Sequence, residues 1–277
     1  MTWRALLSHE PTMTSHVNVN VNDPEPLGLV PEPPGRDPND PDAPPPIVAH
    51  RLDFARLGLP EYKHKFAMVI DNVFTPDDCA RYLAKVQSQK AWEPAGVGAS
   101  VTAKTVDASY RHSSRILFDD EALAGEMFQK LRPYLDEIAY LGLTQPSVHP
   151  RVRLVGLNPR LRFLKYEPGQ FFHTHCDGTY SSSDQTQTSY FTLQLYLAAP
   201  NLQGGATRFW KMADPGSDKR KTRPGMPPLR TWVDVKPRIG RALIFEQRGL
   251  AHSGERVVEG VKLTVRTDFM FEAWGGE

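Results

Sequence analysis

From residue 151 onward the chain is cut into short apolar or alternating runs, at 151–157, 161–166, 191–197, 207–210, 231–235, 242–246 and 263–271. Gly, Pro, Asn and Asp stand between many of them. Such runs suit a pleated, half-buried surface, and turn formers at this spacing fold them back on one another. A β-barrel or sandwich is therefore predicted for the C-terminal half.

The segment before it reads differently. Residues 66–74 (FAMVIDNVF) predict a strand. Thr75-Pro76-Asp77-Asp78 then supplies an N-cap, a proline at the first helical position and acids in the first turn. The helix should run to about Gln89, with Cys79, Tyr82, Leu83 and Val86 on one stripe, which makes Cys79 a core thiol. Residues 95–106 (AGVGASVTAKTV) read as a mobile loop. A second helix is expected over 120–140, kinked at Pro133, with Leu123, Met127, Leu131, Leu135 and Ile138 on its apolar face. Helices first and strands after them predict an α+β domain, with helical support at 47–150 and a β core at 151–277.

Ahead of that domain, residues 1–46 form a Pro-rich tail expected to stay disordered. Residues 23–46 (DPEPLGLVPEPPGRDPNDPDAPPP) have no aromatic residue and no apolar period, and proline removes backbone donors. Charge narrows the partners. Lys+Arg number 33 against Asp+Glu 32, a net charge of +1, which ranks nucleic acid low. The 211–230 insertion is locally basic through Lys211, Lys219, Arg220, Lys221 and Arg223, the pattern of a solvated loop or of a wall facing an anion. Two cysteines do not make a disulfide scaffold, and no signal or membrane-spanning run is visible. The expectation is a soluble, cytoplasmic protein.

Candidate chemistry concentrates in 166–180, YEPGQFFHTHCDGTY. On a regular strand His173, His175 and Asp177 share one face. His252, in GLAHSGERV, lies just beyond the apolar run ALIFE, so only a folded sheet could bring it to the other two. Two imidazoles and a carboxylate on one side of a metal leave its other side open, as non-haem Fe(II) oxygenases require. A structural zinc site would close four positions. Taken alone, His-x-Asp recurs by chance, and the same residues could merely cap a turn.

The flanking motifs add more. RFLKYEPGQFFHTHCDG (162–178), GGATRF (204–209), a P-x-x-G-x-A-x-x-F turn (237–245) and H-x-G-x-x-V-x-x-G-x-K (252–262) follow in order. Together they resemble the prolyl 4-hydroxylase-like branch of the Fe(II)/2-oxoglutarate-dependent dioxygenases, over roughly residues 66–273. The resemblance implies a double-stranded β-helix (a jelly-roll, cupin-like core) with bracing helices. It implies that His175, Asp177 and His252 are the catalytic iron ligands. It also implies 2-oxoglutarate as cosubstrate with O2, giving succinate and CO2, and ascorbate as an accessory reductant.

The far carboxylate of 2-oxoglutarate needs a cation. Lys262 stands at the family position, and Arg266 follows on the same strand face, where its planar fork would grip a carboxylate better. Both remain candidates. Tyr166 occupies the position whose phenol faces the cosubstrate in the family, and Tyr196 is a second cosubstrate candidate. His173 and Arg162 are assigned to substrate. Cys176, between ligands, is expected to pack. Because Asp177 is retained rather than replaced by a small residue as in the related halogenases, hydroxylation is expected. The preferred substrate is a small molecule or amino acid and the second choice a peptidyl proline. An alkylated nucleic-acid demethylase and a non-catalytic cupin-like metal-binding protein are the lesser alternatives.

Overall fold

The computed structural model describes residues 44–96, 108–142, 151–199, 201–211 and 232–275, and the backbone of Asn18–Asn20. The principal elements, in chain order, are β1 (Ala67–Asp71), α1 (Pro76–Gln87), β2 (Ser114–Asp119), α2 (Glu121–Leu131), β3 (Val152–Leu157), β4 (Arg160–Tyr166), β5 (Phe171–His175), β6 (Gln187–Ala198), β7 (Thr207–Trp210), β8 (Trp232–Val235), β9 (Ala242–Glu246), β10 (His252–Gly254) and β11 (Lys262–Ala273).

Two sheets face each other. The major sheet runs β1-β9-β6-β11-β4-β2, with β3 pairing farther along the long β11 and Val48–Arg51 outside β1. The minor sheet runs β8-β7-β10-β5, extended by Arg111–His112 beyond β5. This is the double-stranded β-helix that the motifs imply, in an α+β frame. Asn18–Asn20, inside the Pro-rich tail, pairs in parallel with β8; the rest of 1–43 lies outside the described residues.

Alternation along the central strands sorts two layers. On β6, Phe191, Leu193 and Leu195 turn outward into a cluster with Cys79, Tyr82 and Val86 of α1 and Leu123, Met127 and Leu131 of α2. Burying each large apolar side chain contributes about 1.5–3 kcal/mol, which fastens the helices to one sheet face. The other phase of β6, Thr192, Gln194 and Tyr196, faces inward. Between the sheets Phe54, Tyr62, Phe209, Val233, Leu243 and Phe245 form a second cluster with Tyr196.

The α1 start matches its sequence signature. Thr75 accepts a hydrogen bond from the Asp78 backbone N–H, and the Asp78 carboxylate accepts one from the Thr75 N–H. Cys79 is buried, and burial pushes its thiol up to about 11. The second helix departs from expectation. It ends at Leu131, and Arg132–Tyr134 and Asp136–Ile138 are 3-10 turns rather than a kinked continuation. Pro133 has no N–H to offer the carbonyl four residues back, so the α-helical ladder stops there. The segment read as helical support also holds β1 and β2, both members of the major sheet.

Glycine is required at two turns. Gly240, at φ +77°, sits where a Cβ would lie 2.0 Å from the Phe74 carbonyl oxygen. Gly204, at φ +76°, leads into β7, and its Cβ would lie 2.3 Å from the Arg256 carbonyl oxygen. Only a residue without a side chain fits either place.

Candidate metal and cosubstrate site

β5 and β10 are neighbours, with His175 directly opposite His252. Asp177 follows two residues beyond the end of β5. One ligand atom from each of the three residues lies within 4.8 Å of the others. Among the described residues no fourth His, Cys, Asp or Glu joins this group.

The backbone fixes which imidazole nitrogen is free. His175 Nδ1 lies 2.8 Å from the His173 carbonyl oxygen, and His252 Nδ1 lies 3.0 Å from that of Leu250. Each Nδ1–H donates to a carbonyl, so each Nε2 presents its lone pair toward Asp177. The rings are held by packing as well. Phe172 stacks on His175 at 3.8 Å between centroids, and Phe245 meets His252 edge-on at 4.7 Å. Burial lowers His175 to about 4, helped by His252 against the opposing pull of Asp177. Burial also lowers His252. Both are neutral near pH 7, as metal ligands must be.

Asp177 is held as a carboxylate. Burial alone would raise it, but Arg266 and the two histidines keep it well below the usual carboxylate range. Its Oδ2 accepts from the Thr192 hydroxyl at 2.7 Å and pairs with Arg266 Nη2 at 3.2 Å. With Oδ2 so engaged, Oδ1, 3.7 Å from His175 Nε2, is the freer oxygen. Two neutral imidazoles and one ionised carboxylate, with no further protein ligand among the described residues, fit a facially bound Fe(II).

Lys262 and Arg266 share the inner face of β11 but have different surroundings. Arg266 Nη2 contacts Asp177 and, at 3.1 Å, Asp268. Lys262 is buried and has no hydrogen bond or ion pair to a described residue. Its Nζ lies 5.1 Å from the centre of the Tyr166 ring and 5.7 Å from that of Tyr196. Burial lowers it to about 7, opposed only by Glu255. Gly205 borders its stem. The Tyr196 hydroxyl is 2.7 Å from Thr207 Oγ1, which also accepts from Gln194.

The strand alternation expected at His173 does not hold. The β5–β10 register slips by one residue between Phe172 and His175. This bulge turns His173 out of phase with His175. His173 is exposed, packs on Phe171 and Tyr110, and is not in the ligand group. Cys176, expected to pack, is exposed, because it lies beyond the strand end where no sheet covers it. Arg162, on the inner face of β4 opposite Arg266, donates to Asp268 at 3.1 Å.

Sequence reasoning missed Thr192, Asp268 and Gln247. The first two carried a signal, as polar residues in the inner phase of otherwise apolar strands. Residues 97–107 and 212–231, which include most of the loop at 95–106 and most of the basic insertion at 211–230, lie outside the described residues. No helix of the described residues is long and apolar enough to cross a membrane.

Several solved structures are similar to the chain. The chain is similar to a Pseudomonas putida prolyl-4-hydroxylase (19% identity, TM-score 0.49, covering 79% of this chain and 99% of that one). It is similar to a viral collagen prolyl hydroxylase from Paramecium Bursaria Chlorella virus-1 (17%, 0.43, 75% and 96%). It is also similar to a Trichoplax adhaerens prolyl hydroxylase bound to a hypoxia inducible factor peptide (12%, 0.47, 78% and 88%). No curated protein matches the chain. Residues 161–269, which hold all three metal ligands and Lys262, match the family model of the 2OG-Fe(II) oxygenases. The family likeness therefore covers the β core from β4 into β11, residues 161–269.

Proposed function

We propose that this oxygenase is a hydroxylase in which His175, Asp177 and His252 hold Fe(II) and Lys262 receives the far carboxylate of 2-oxoglutarate. The observation that carries this reading is the convergence of the three ligand atoms within 4.8 Å, with both Nδ1 atoms already committed to carbonyls. Bound there, iron with 2-oxoglutarate and O2 supplies oxidation of an unactivated C–H bond, with succinate and CO2 released. Ascorbate would serve as reductant.

The chain's own residues bind and orient. Lys262 is favoured over Arg266 for the carboxylate because its ammonium has no acceptor among the described residues, whereas Arg266 is already paired with Asp177 and Asp268. Unsatisfied burial of a cation is costly, and a carboxylate relieves it. Tyr166 and Tyr196 wall the ammonium and keep water from it. Thr192 and Arg266 fix the Asp177 carboxylate on its Oδ2 side.

A prolyl residue of a peptide is the reading to test first, since the similar structures include prolyl hydroxylases. A free amino acid or other small molecule is the second. The test is succinate release with iron, ascorbate and a panel of prolyl peptides and free amino acids, with a mass gain of one oxygen on the substrate. If 2-oxoglutarate is neither bound nor consumed, the reading fails.

A further inference from the structure

Beside the metal ligands the inner wall of the major sheet is charged rather than apolar. β11 contributes Arg266 and Asp268, and β4 contributes Arg162 in register with Arg266. Asp268 is only 1% exposed, and its oxygens are fully engaged. They accept from Arg162 Nη1 (3.1 Å), Asn158 Nδ2 (3.4 Å) and Gln247 Nε2 (3.0 Å), and pair with Arg266 Nη2 (3.1 Å).

Both arginines keep unmet donors among the described residues: Arg266 a buried Nε, and Arg162 a whole edge that solvent reaches. The bond to Asp268 is the one hydrogen bond of Arg162 among the described residues, so its Nε and Nη2 donors have no acceptor there. That same Nε–Nη2 edge grips both oxygens of a carboxylate in three other arginines of this protein. They are Arg160 on Asp119 (2.8 and 2.9 Å), Arg208 on Asp234 (2.6 and 2.7 Å) and Arg241 on Asp71 (2.6 and 2.9 Å). Its side chain keeps 26% exposure, so a solute can reach it.

We propose that the Nε–Nη2 edge of Arg162 binds a carboxylate of the substrate, holding the C–H bond to be oxidised beside His175, Asp177 and His252. The inference rests on the oxygenase reading and names the substrate class within it, a carboxylate-bearing molecule. An uncharged ring alone would leave a half-desolvated guanidinium edge without an acceptor. The carboxylate could belong to a free amino acid or to a peptide terminus or acidic side chain.

The test uses the full chain loaded with Ni(II), which does not turn over, and saturating 2-oxoglutarate, so that the Lys262 site is filled. Ligand-observed NMR titrations compare L-proline with L-prolinamide, and prolyl tripeptides with free against amidated C-termini. An internal glutamate peptide covers the side-chain source. At least one free acid should bind tenfold or more tightly than its amide. Arg162→Gln should erase that preference, and Arg162→Lys, which keeps charge but not the fork, should retain part of it. Equal binding of acids and amides, no binding of any acid, or an undiminished preference in Arg162→Gln overturns the proposal. Failure of the wild-type protein to hold Ni(II) and 2-oxoglutarate would instead strike the oxygenase reading itself.

Discussion

As the proposed partner of the far carboxylate of 2-oxoglutarate, Lys262 should give the site a pH dependence whose sign and size follow from its surroundings. With burial lowering it to about 7, the ammonium is half populated at pH 7. It is about a tenth populated at pH 8 and about a hundredth at pH 9. 2-Oxoglutarate carries a carboxylate at all these values and prefers the charged lysine. The complex therefore holds more protons than the free protein, and affinity falls as pH rises. The expected loss is about fivefold from pH 7 to 8 and about tenfold from pH 8 to 9. The histidine ligands do not contribute, since His175 at about 4 and the lowered His252 are already neutral across this range. Calorimetric titration of 2-oxoglutarate into Ni(II)-loaded protein, in buffers of different ionisation heat, measures both affinity and proton uptake. Close to one proton should be taken up per molecule bound at pH 8. Lys262→Arg should flatten the profile, because a guanidinium stays charged throughout. Affinity independent of pH in the wild type, with no proton uptake, would refute the placement of the far carboxylate on Lys262.

His175→Ala and Asp177→Ala should lose bound iron and succinate formation while staying folded, as elemental analysis and circular dichroism would read. Thr192→Val removes a hydrogen bond to the Asp177 carboxylate and should weaken metal binding by about 10–100-fold, measurable by competition with a chelator. Thr75→Ala breaks the capping box of α1 and should cost about 1 kcal/mol in chemical denaturation, with iron content unchanged. Deleting residues 1–46 should leave 2-oxoglutarate turnover unchanged but speed amide exchange in Trp232–Val235, the strand that Asn18–Asn20 pairs with. A loss of turnover there would mean that the segment reaches the site.

Much of the fold was legible because local signals agreed with the tertiary outcome. The apolar phase of β6 and β11 marks the face that the helices cover, and Thr75 to Asp78 spell out a helix start before any packing is known. β2 was missed. Its buried Ile116 and Phe118 alternate within a segment, RHSSRILFD, rich in polar and charged residues, and the strand is stabilised by pairing with β4 rather than by its own composition. The bulge at His173 was equally invisible, since a register slip is a relation between β5 and β10 and leaves no mark on either strand alone.

The same limit separates the metal ligands from the wall behind them. His175, Asp177 and His252 could be found in sequence because their residue types are rare and their motif spacing is fixed. Thr192, Asp268 and Gln247 are ordinary residues whose roles come from which strand lies beside which. Pairing of β6 with β11 sets Thr192 opposite Asp268, and pairing of β4 with β11 sets Arg162 opposite Arg266. Sequence alternation alone puts Lys262, Thr264 and Arg266 on one face and cannot distinguish them. The fold does so through partners, giving Arg266 two carboxylates and Lys262 no ion pair among the described residues. A cation already paired can orient a ligand such as Asp177, whereas an unpaired one can receive a new anion. The division of labour proposed for these two basic residues, four apart on one strand, rests on that difference in neighbours across the sheet.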